Sequence, residues 1–143
     1  MGCHTTSNVS PLSAEPTRQI LLVDDDPALL DILPRTLNLR IAHVAVMACD
    51  SAEAALEHLQ SGPYDLVITD LNMPHMNGMA LIREIKTRFP TLAILVMTGH
   101  GDEQAEHRAV QAGVDGFILK PFDRKELTDV VQRLLEHPGR SRS

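Results

Sequence analysis

Five alternations of a short apolar run with an amphipathic helical pattern predict an α/β fold, a doubly wound sheet of five parallel strands with helices on both faces. Two further observations support it. The runs hold few polar residues, and Leu92 to Met97 is apolar throughout, as expected of a central parallel strand covered on both faces. Four of them also finish on polar or charged groups: Ile20 to Val23 on Asp24, Asp25 and Asp26, Asp65 to Thr69 on Asp70, Leu92 to Met97 on Thr98, and Phe117 to Leu119 on Lys120. In a parallel sheet those carboxyl ends share one edge, where open α/β folds place their ligands.

The elements follow in order. Residues 1–17 mix Ser, Thr, Pro and Asn without periodicity and read as a flexible leader, so the folded domain is expected over 18–137, with 138–143 as a tail. After the first strand, Asp26-Pro27 opens a helix in which Leu29, Leu30, Leu33 and Leu37 fall on one face and Pro34 removes a backbone donor. Val44 to Cys49 is the second strand. Ser51 to Ala54 opens the second helix, with Ala55, Leu56 and Leu59 inward and Gly62-Pro63 as its stop. Past Asp70, the residues Asn72, Pro74, Asn77 and Gly78 form a turn into a helix that buries Leu81, Ile82 and Ile85. The fourth helix, about Glu103 to Ala112, has only Ala105, Ala109 and Val110 as anchors and is expected to be the least firmly packed. The last, about Arg124 to Glu136, buries Leu127, Val130, Val131 and Leu134.

The chain of 143 residues fits one domain. Aromatic residues are only 3%, so the core must be aliphatic. A formal net charge of −6 disfavours direct nucleic-acid binding, which rests mainly on neutralising phosphates with Lys and Arg; a cation or a basic protein partner suits it better. Cys3 and Cys49 form no CxxC pair, compatible with a reducing cytoplasm, the expected location. No apolar stretch reaches the roughly 18 residues of a membrane span.

Asp24, Asp25 and Asp70 are the chemical candidates. Two like charges ~4 Å apart cost roughly 4 kcal/mol at an effective dielectric of 20, so clustered carboxylates either take up protons or recruit a cation. Hard oxygen ligands point to Mg²⁺, which keeps several waters and pairs with phosphate. Thr98 and Lys120 add a hydroxyl and an ammonium at neighbouring strand ends. Together they would surround a phosphoryl group on Asp70, and carboxylates are competent phosphoryl-accepting nucleophiles.

The sequence resembles the receiver domain of two-component response regulators, the CheY-like family, over about Arg18 to Glu136. The motifs that carry the resemblance are Leu22-Val23-Asp24-Asp25-Asp26-Pro27, Ile68-Thr69-Asp70-Leu71-Asn72-Met73-Pro74 with Gly78, Met97-Thr98-Gly99, and Phe117-Ile118-Leu119-Lys120-Pro121-Phe122. The resemblance implies a flavodoxin-like (βα)5 fold of strand order 2-1-3-4-5. It implies Asp70 as phosphoacceptor, phosphorylated from a sensor histidine kinase or a histidine phosphotransfer protein. Mg²⁺ would be held by Asp24, Asp25, Asp70 and the backbone carbonyl of Asn72. Lys120 and Thr98 would contact the phosphoryl group, Thr98 and Phe117 would form the switch, and the peptide before Pro121 would be cis. Many family members carry Tyr at the Phe117 position, so this switch would work by ring packing alone. Asn72 and His100 resemble positions that tune the lifetime of the phosphorylated state.

The reading is a single-domain receiver, not an enzyme beyond its own phosphorylation and autodephosphorylation. Phosphorylation would switch the surface of the fourth helix, fifth strand and fifth helix for a downstream protein target, in a monomer or a phosphorylation-dependent dimer. Two alternatives stand beside it. Asp24-x-Asp26 after an apolar strand imitates the nucleophile motif of haloacid-dehalogenase-like phosphatases, and an interaction module could keep the fold without phosphorylation.

Overall fold

Strand and helix periodicity translate directly into two cores separated by one sheet. The computed structural model describes residues 4–8, 16–73, 76–99 and 103–136; His100, Pro74 and the tail after Glu136 lie outside them. Along the chain the elements are β1 (His4–Asn8), β2 (Arg18–Val23), α1 (Pro27–Arg40), β3 (Val44–Cys49), α2 (Ala52–Ser61), β4 (Leu66–Asp70), β5 (Asn72–Met73), β6 (Met76–Asn77), α3 (Gly78–Arg88), β7 (Ala93–Thr98), α4 (Glu103–Gln111), β8 (Gly116–Leu119) and α5 (Arg124–Glu136). The main sheet runs β1-β3-β2-β4-β7-β8. Its five parallel strands β3-β2-β4-β7-β8 reproduce the order 2-1-3-4-5, and β5 and β6 form a small separate antiparallel pair.

Successive strand residues face opposite sides. Ile20, Leu22, Leu66 and Ile68 join one core with Leu30, Leu33 and Leu37 of α1 and Leu127, Val131 and Leu134 of α5. Leu21, Val23 and Val67 join the other, beneath Ala55 and Leu59 of α2, Ile82 and Ile85 of α3, and Ala105 and Ala109 of α4. The helix starts follow the sequence signals. Asp26 caps α1 by accepting from the Ala28 N–H at 2.9 Å, and Ser51 caps α2 through the Ala54 N–H at 3.2 Å. α1 runs through Pro34 as one element.

The structure departs from the sequence expectations at two places. Residues 4–8, expected within a flexible leader, form β1, which pairs antiparallel with β3 from His4 opposite Ala48 to Asn8 opposite Val44. Backbone pairing with an edge strand needs no apolar pattern, so periodicity does not reveal it. Val110, expected as an inward anchor of α4, is 61% exposed. It follows Ala109, which is fully buried, and one residue is a rotation of about 100° on a helix.

Gly78 ties the loop after Asp70 to α3. A Cβ at Gly78 would lie 2.7 Å from the Leu71 Cα and 2.9 Å from the Asp70 carbonyl oxygen, both backbone atoms that cannot rotate away. Gly78→Ala is expected to destabilise the fold by about 1–3 kcal/mol, measured by urea denaturation. An unchanged midpoint would show that the loop moves aside without cost.

Candidate functional site

The site forms where β2, β4, β7 and β8 end. Leu22 is in register with Ile68 and Val23 with Thr69, so Asp24 and Asp70 arrive side by side one residue further on. Asp70 is opposite Met97, and Thr98 is opposite Leu119, the residue before Lys120. Sheet register thus brings together four groups separated by up to 96 positions in sequence.

Each carboxylate has a different environment. Asp24 is fully buried; its backbone N–H donates to the Cys49 carbonyl at 3.1 Å and its Oδ1 accepts from the Asp26 N–H at 2.9 Å. Asp70 is 5% exposed, and its Oδ1 accepts from the Asn72 N–H at 2.9 Å. Asp25 is exposed. Oxygens of all three lie within 4.8 Å of one another.

The Lys120 ammonium donates to Asp70 Oδ2 at 2.8 Å and to Asp24 Oδ2 at 3.1 Å. Its backbone N–H donates to the Thr98 carbonyl at 2.7 Å, and the following Lys120–Pro121 peptide is cis. Burial pulls the Lys120 pKa down, but the hydrogen bond to Asp70 and the charges of Asp24 and Asp70 outweigh it, so the net shift is upward. Burial also dominates at Asp24 and raises its pKa, against the lowering pull of the Asp26 N–H and Lys120.

Thr98 is fully buried, and its Oγ1 accepts from Asn72 Nδ2 at 2.8 Å. Sequence reasoning missed this bond. It assigned Asn72 a backbone-carbonyl role and a lifetime-tuning role, and Thr98 a separate one, and no local signal links residues 26 positions apart. Phe117 is half-buried against the core beneath α2, α3 and α4, in register with Val96. The structure therefore brings Asp24, Asp25, Asp70, Asn72, Thr98 and Lys120 into one pocket, with Phe117 further back along β8. His100 lies outside the described residues.

Three carboxylates against one ammonium leave two net negative charges when all are ionised. The donors are hard oxygens, so the set fits a small hard divalent cation such as Mg²⁺. A pocket of this kind can hold an electrophilic phosphorus against a carboxylate while a fixed ammonium faces the developing charge.

A family model described as the response regulator receiver domain matches residues 20–132. The chain belongs to that family. The receiver is 44% identical over 115 residues to the response regulator protein FleR of Pseudomonas aeruginosa, covering 80% of this chain and 24% of FleR. It is 35% identical over 118 residues to the DNA-binding transcriptional regulator NtrC of Escherichia coli, covering 82% of this chain and 25% of NtrC. The chain thus spans about a quarter of the length of these relatives. Among solved structures, the receiver domain of NtrX from Brucella abortus aligns with a TM-score of 0.76 at 30% identity, covering 82% of this chain and 98% of that one. A response regulator receiver domain protein from Clostridium thermocellum aligns with a TM-score of 0.76 at 28% identity, covering 83% and 94%.

Receiver domains take phosphoryl groups from histidine kinases and bind Mg²⁺ at an acidic pocket. The family assignment displaces the phosphatase alternative. Asp26, the second acid of the motif that suggested it, has an oxygen on the α1 N-terminus. Among the described residues no helix is long and apolar enough to cross a membrane.

A group whose folded pKa is raised binds its proton more tightly in the folded state. For Asp24, stability is therefore lost as pH rises from the ordinary aspartate value of 3.8 through the higher folded one. In chelator at neutral pH, Asp24→Asn is expected to melt above the parent, because Lys120 keeps Asp70 as its partner while a buried charge is gone. The gap should close in acid below that ordinary value. A variant less stable than the parent at neutral pH would show that the Lys120 attraction outweighs the burial cost.

Proposed function

We propose that this receiver accepts a phosphoryl group on Asp70 and uses it to change a protein-binding surface. The observation that carries the reading is the Lys120 ammonium held 2.8 Å from Asp70 Oδ2 inside a pocket with two further carboxylates. In the reaction, an Asp70 carboxylate oxygen attacks phosphorus, a P–O bond forms, and the P–N bond of a phosphohistidine breaks. The departing imidazole nitrogen keeps the electron pair and takes a proton from solvent. The donor is a sensor histidine kinase or a histidine phosphotransfer protein.

Asp24, Asp25, Asp70 and the Asn72 carbonyl would hold Mg²⁺, which when bound supplies charge neutralisation at the phosphoryl oxygens. The chain's own residues do the rest. Lys120 neutralises a phosphoryl oxygen and releases Asp70 Oδ2 from its ion pair as it does so. Thr98 offers its hydroxyl proton, since its oxygen already accepts from Asn72. Movement of Thr98 toward the phosphoryl group leaves room behind it for the Phe117 ring. Lacking a phenolic hydroxyl, that ring signals by packing alone. Asn72 tunes how long the group survives, both through its place beside Asp70 and through its hold on Thr98; His100 is proposed as a second tuning position.

The readout surface is α4, β8 and α5, where Val110 and Leu119 already stand 61% and 41% exposed. Phosphorylation shifts a pre-existing equilibrium of this surface, in a cytoplasmic domain over 18–137 whose target is a protein. The net charge of −6 is that of these 143 residues. FleR and NtrC are about four times its length, and NtrC binds DNA by its own name.

Incubation with acetyl phosphate and Mg²⁺, followed by intact-mass analysis, is expected to add one acid-labile phosphoryl group. The gain should vanish in Asp70→Asn or when chelator replaces Mg²⁺, and should form about 10²-fold more slowly in Lys120→Ala. An equal gain in Asp70→Asn sinks the assignment.

A further inference from the structure

The two ends of the parallel sheet are protected in different ways. β8, at one end, is four residues long and is followed by Lys120 and Pro121, which are ordinary devices for blunting an exposed edge. β3, at the other, has none of them. Its sequence Val-Ala-Val-Met-Ala-Cys carries no charge, proline or glycine over six residues, the composition of a segment that pairs readily with another strand. Left bare, it would present a row of unpaired N–H and C=O groups. In this chain β1 lies along that edge, pairing five residues of its own with Val44 to Ala48. β1 falls outside the family match, which begins at residue 20. It is short and polar, His-Thr-Thr-Ser-Asn, so the new edge it creates is a poor template for further addition.

We propose that β1 is a displaceable cap on a strand-addition site, and that the partner of the uncapped β3 edge is the same edge of a second copy of this chain. Two observations favour a second copy. A two-fold axis sets identical edge strands antiparallel, and antiparallel is the orientation in which β3 already accepts β1, although its other neighbour β2 is parallel. β3 also carries no charge to repel its own image. Pairing would join two sheets into one continuous sheet. Two six-residue strands bury little area, so the association is concentration-dependent.

The test compares the full chain with a variant lacking residues 2–15, and with Thr5→Pro and Thr6→Pro in the full chain. Neighbouring residues in a strand point their N–H groups in opposite directions, so one proline removes a bond to β3 and the other faces away and serves as control. Mass is measured by light scattering across a concentration series, with circular dichroism to confirm folding. The full chain and one proline variant are expected to stay monomeric, while the truncated chain and the other proline variant approach twice the monomer mass as concentration rises. In dilute monomer, alternate β3 amides should exchange roughly tenfold or more faster once β1 is gone. If the truncated chain does not fold, the proline pair carries the test. Monomers throughout, or β3 exchange indifferent to β1, would overturn the proposal, and open-ended assembly in place of a dimer would overturn the two-fold pairing.

Discussion

Lys120 places one ammonium against two carboxylates, 2.8 Å from Asp70 and 3.1 Å from Asp24, and the rest of the site depends on that bridge. Charges this close interact by roughly 4 kcal/mol at an effective dielectric of 20. Without the ammonium, Asp70 and the fully buried Asp24 would repel each other with little solvent to screen them. With it, the two carboxylates stay close enough to share one cation. The bridge also spans the sheet, from the end of β2 across β4 to the residue after β8.

Everything around the bridge serves to aim it. Register fixes where the strands end, and two aliphatic cores on either side of the sheet fix the register, because a slip of one residue would turn Ile20 and Leu22 away from α1 and α5. The bond from the Lys120 N–H to the Thr98 carbonyl sets the backbone from which the ammonium projects. Gly78 lets α3 begin against the Asp70 and Leu71 backbone. Asn72 adds a link of its own, with its N–H on Asp70 and its amide on Thr98.

The parallel sheet was legible because its strands are unbroken apolar runs ending on polar residues, and the helices because Leu30, Leu33 and Leu37 or Ile82 and Ile85 repeat at helical spacing. Asp24, Asp70, Thr98 and Lys120 were legible for the same reason, each being the first residue of chemical consequence at the end of its run. The Asn72 bond to Thr98 was not, since it is a contact of side-chain direction between residues far apart in sequence. β1 was hidden more deeply. It pairs with β3 through the backbone, which requires no apolar pattern of its own, and the signal lay elsewhere, in the uncharged run of Val44 to Cys49. Val110 was misplaced because a small helix with two buried alanines leaves its third apolar residue free to face outward.

The most direct test is a crystal structure of the receiver with Mg²⁺ and beryllofluoride, a stable stand-in for the phosphoryl group. Beryllium is expected on an Asp70 oxygen, with its fluorines within hydrogen-bond distance of Lys120 Nζ and Thr98 Oγ1. Beryllofluoride bound away from Asp70, or on Asp70 with Lys120 still paired to both carboxylates and facing no fluorine, would contradict the account.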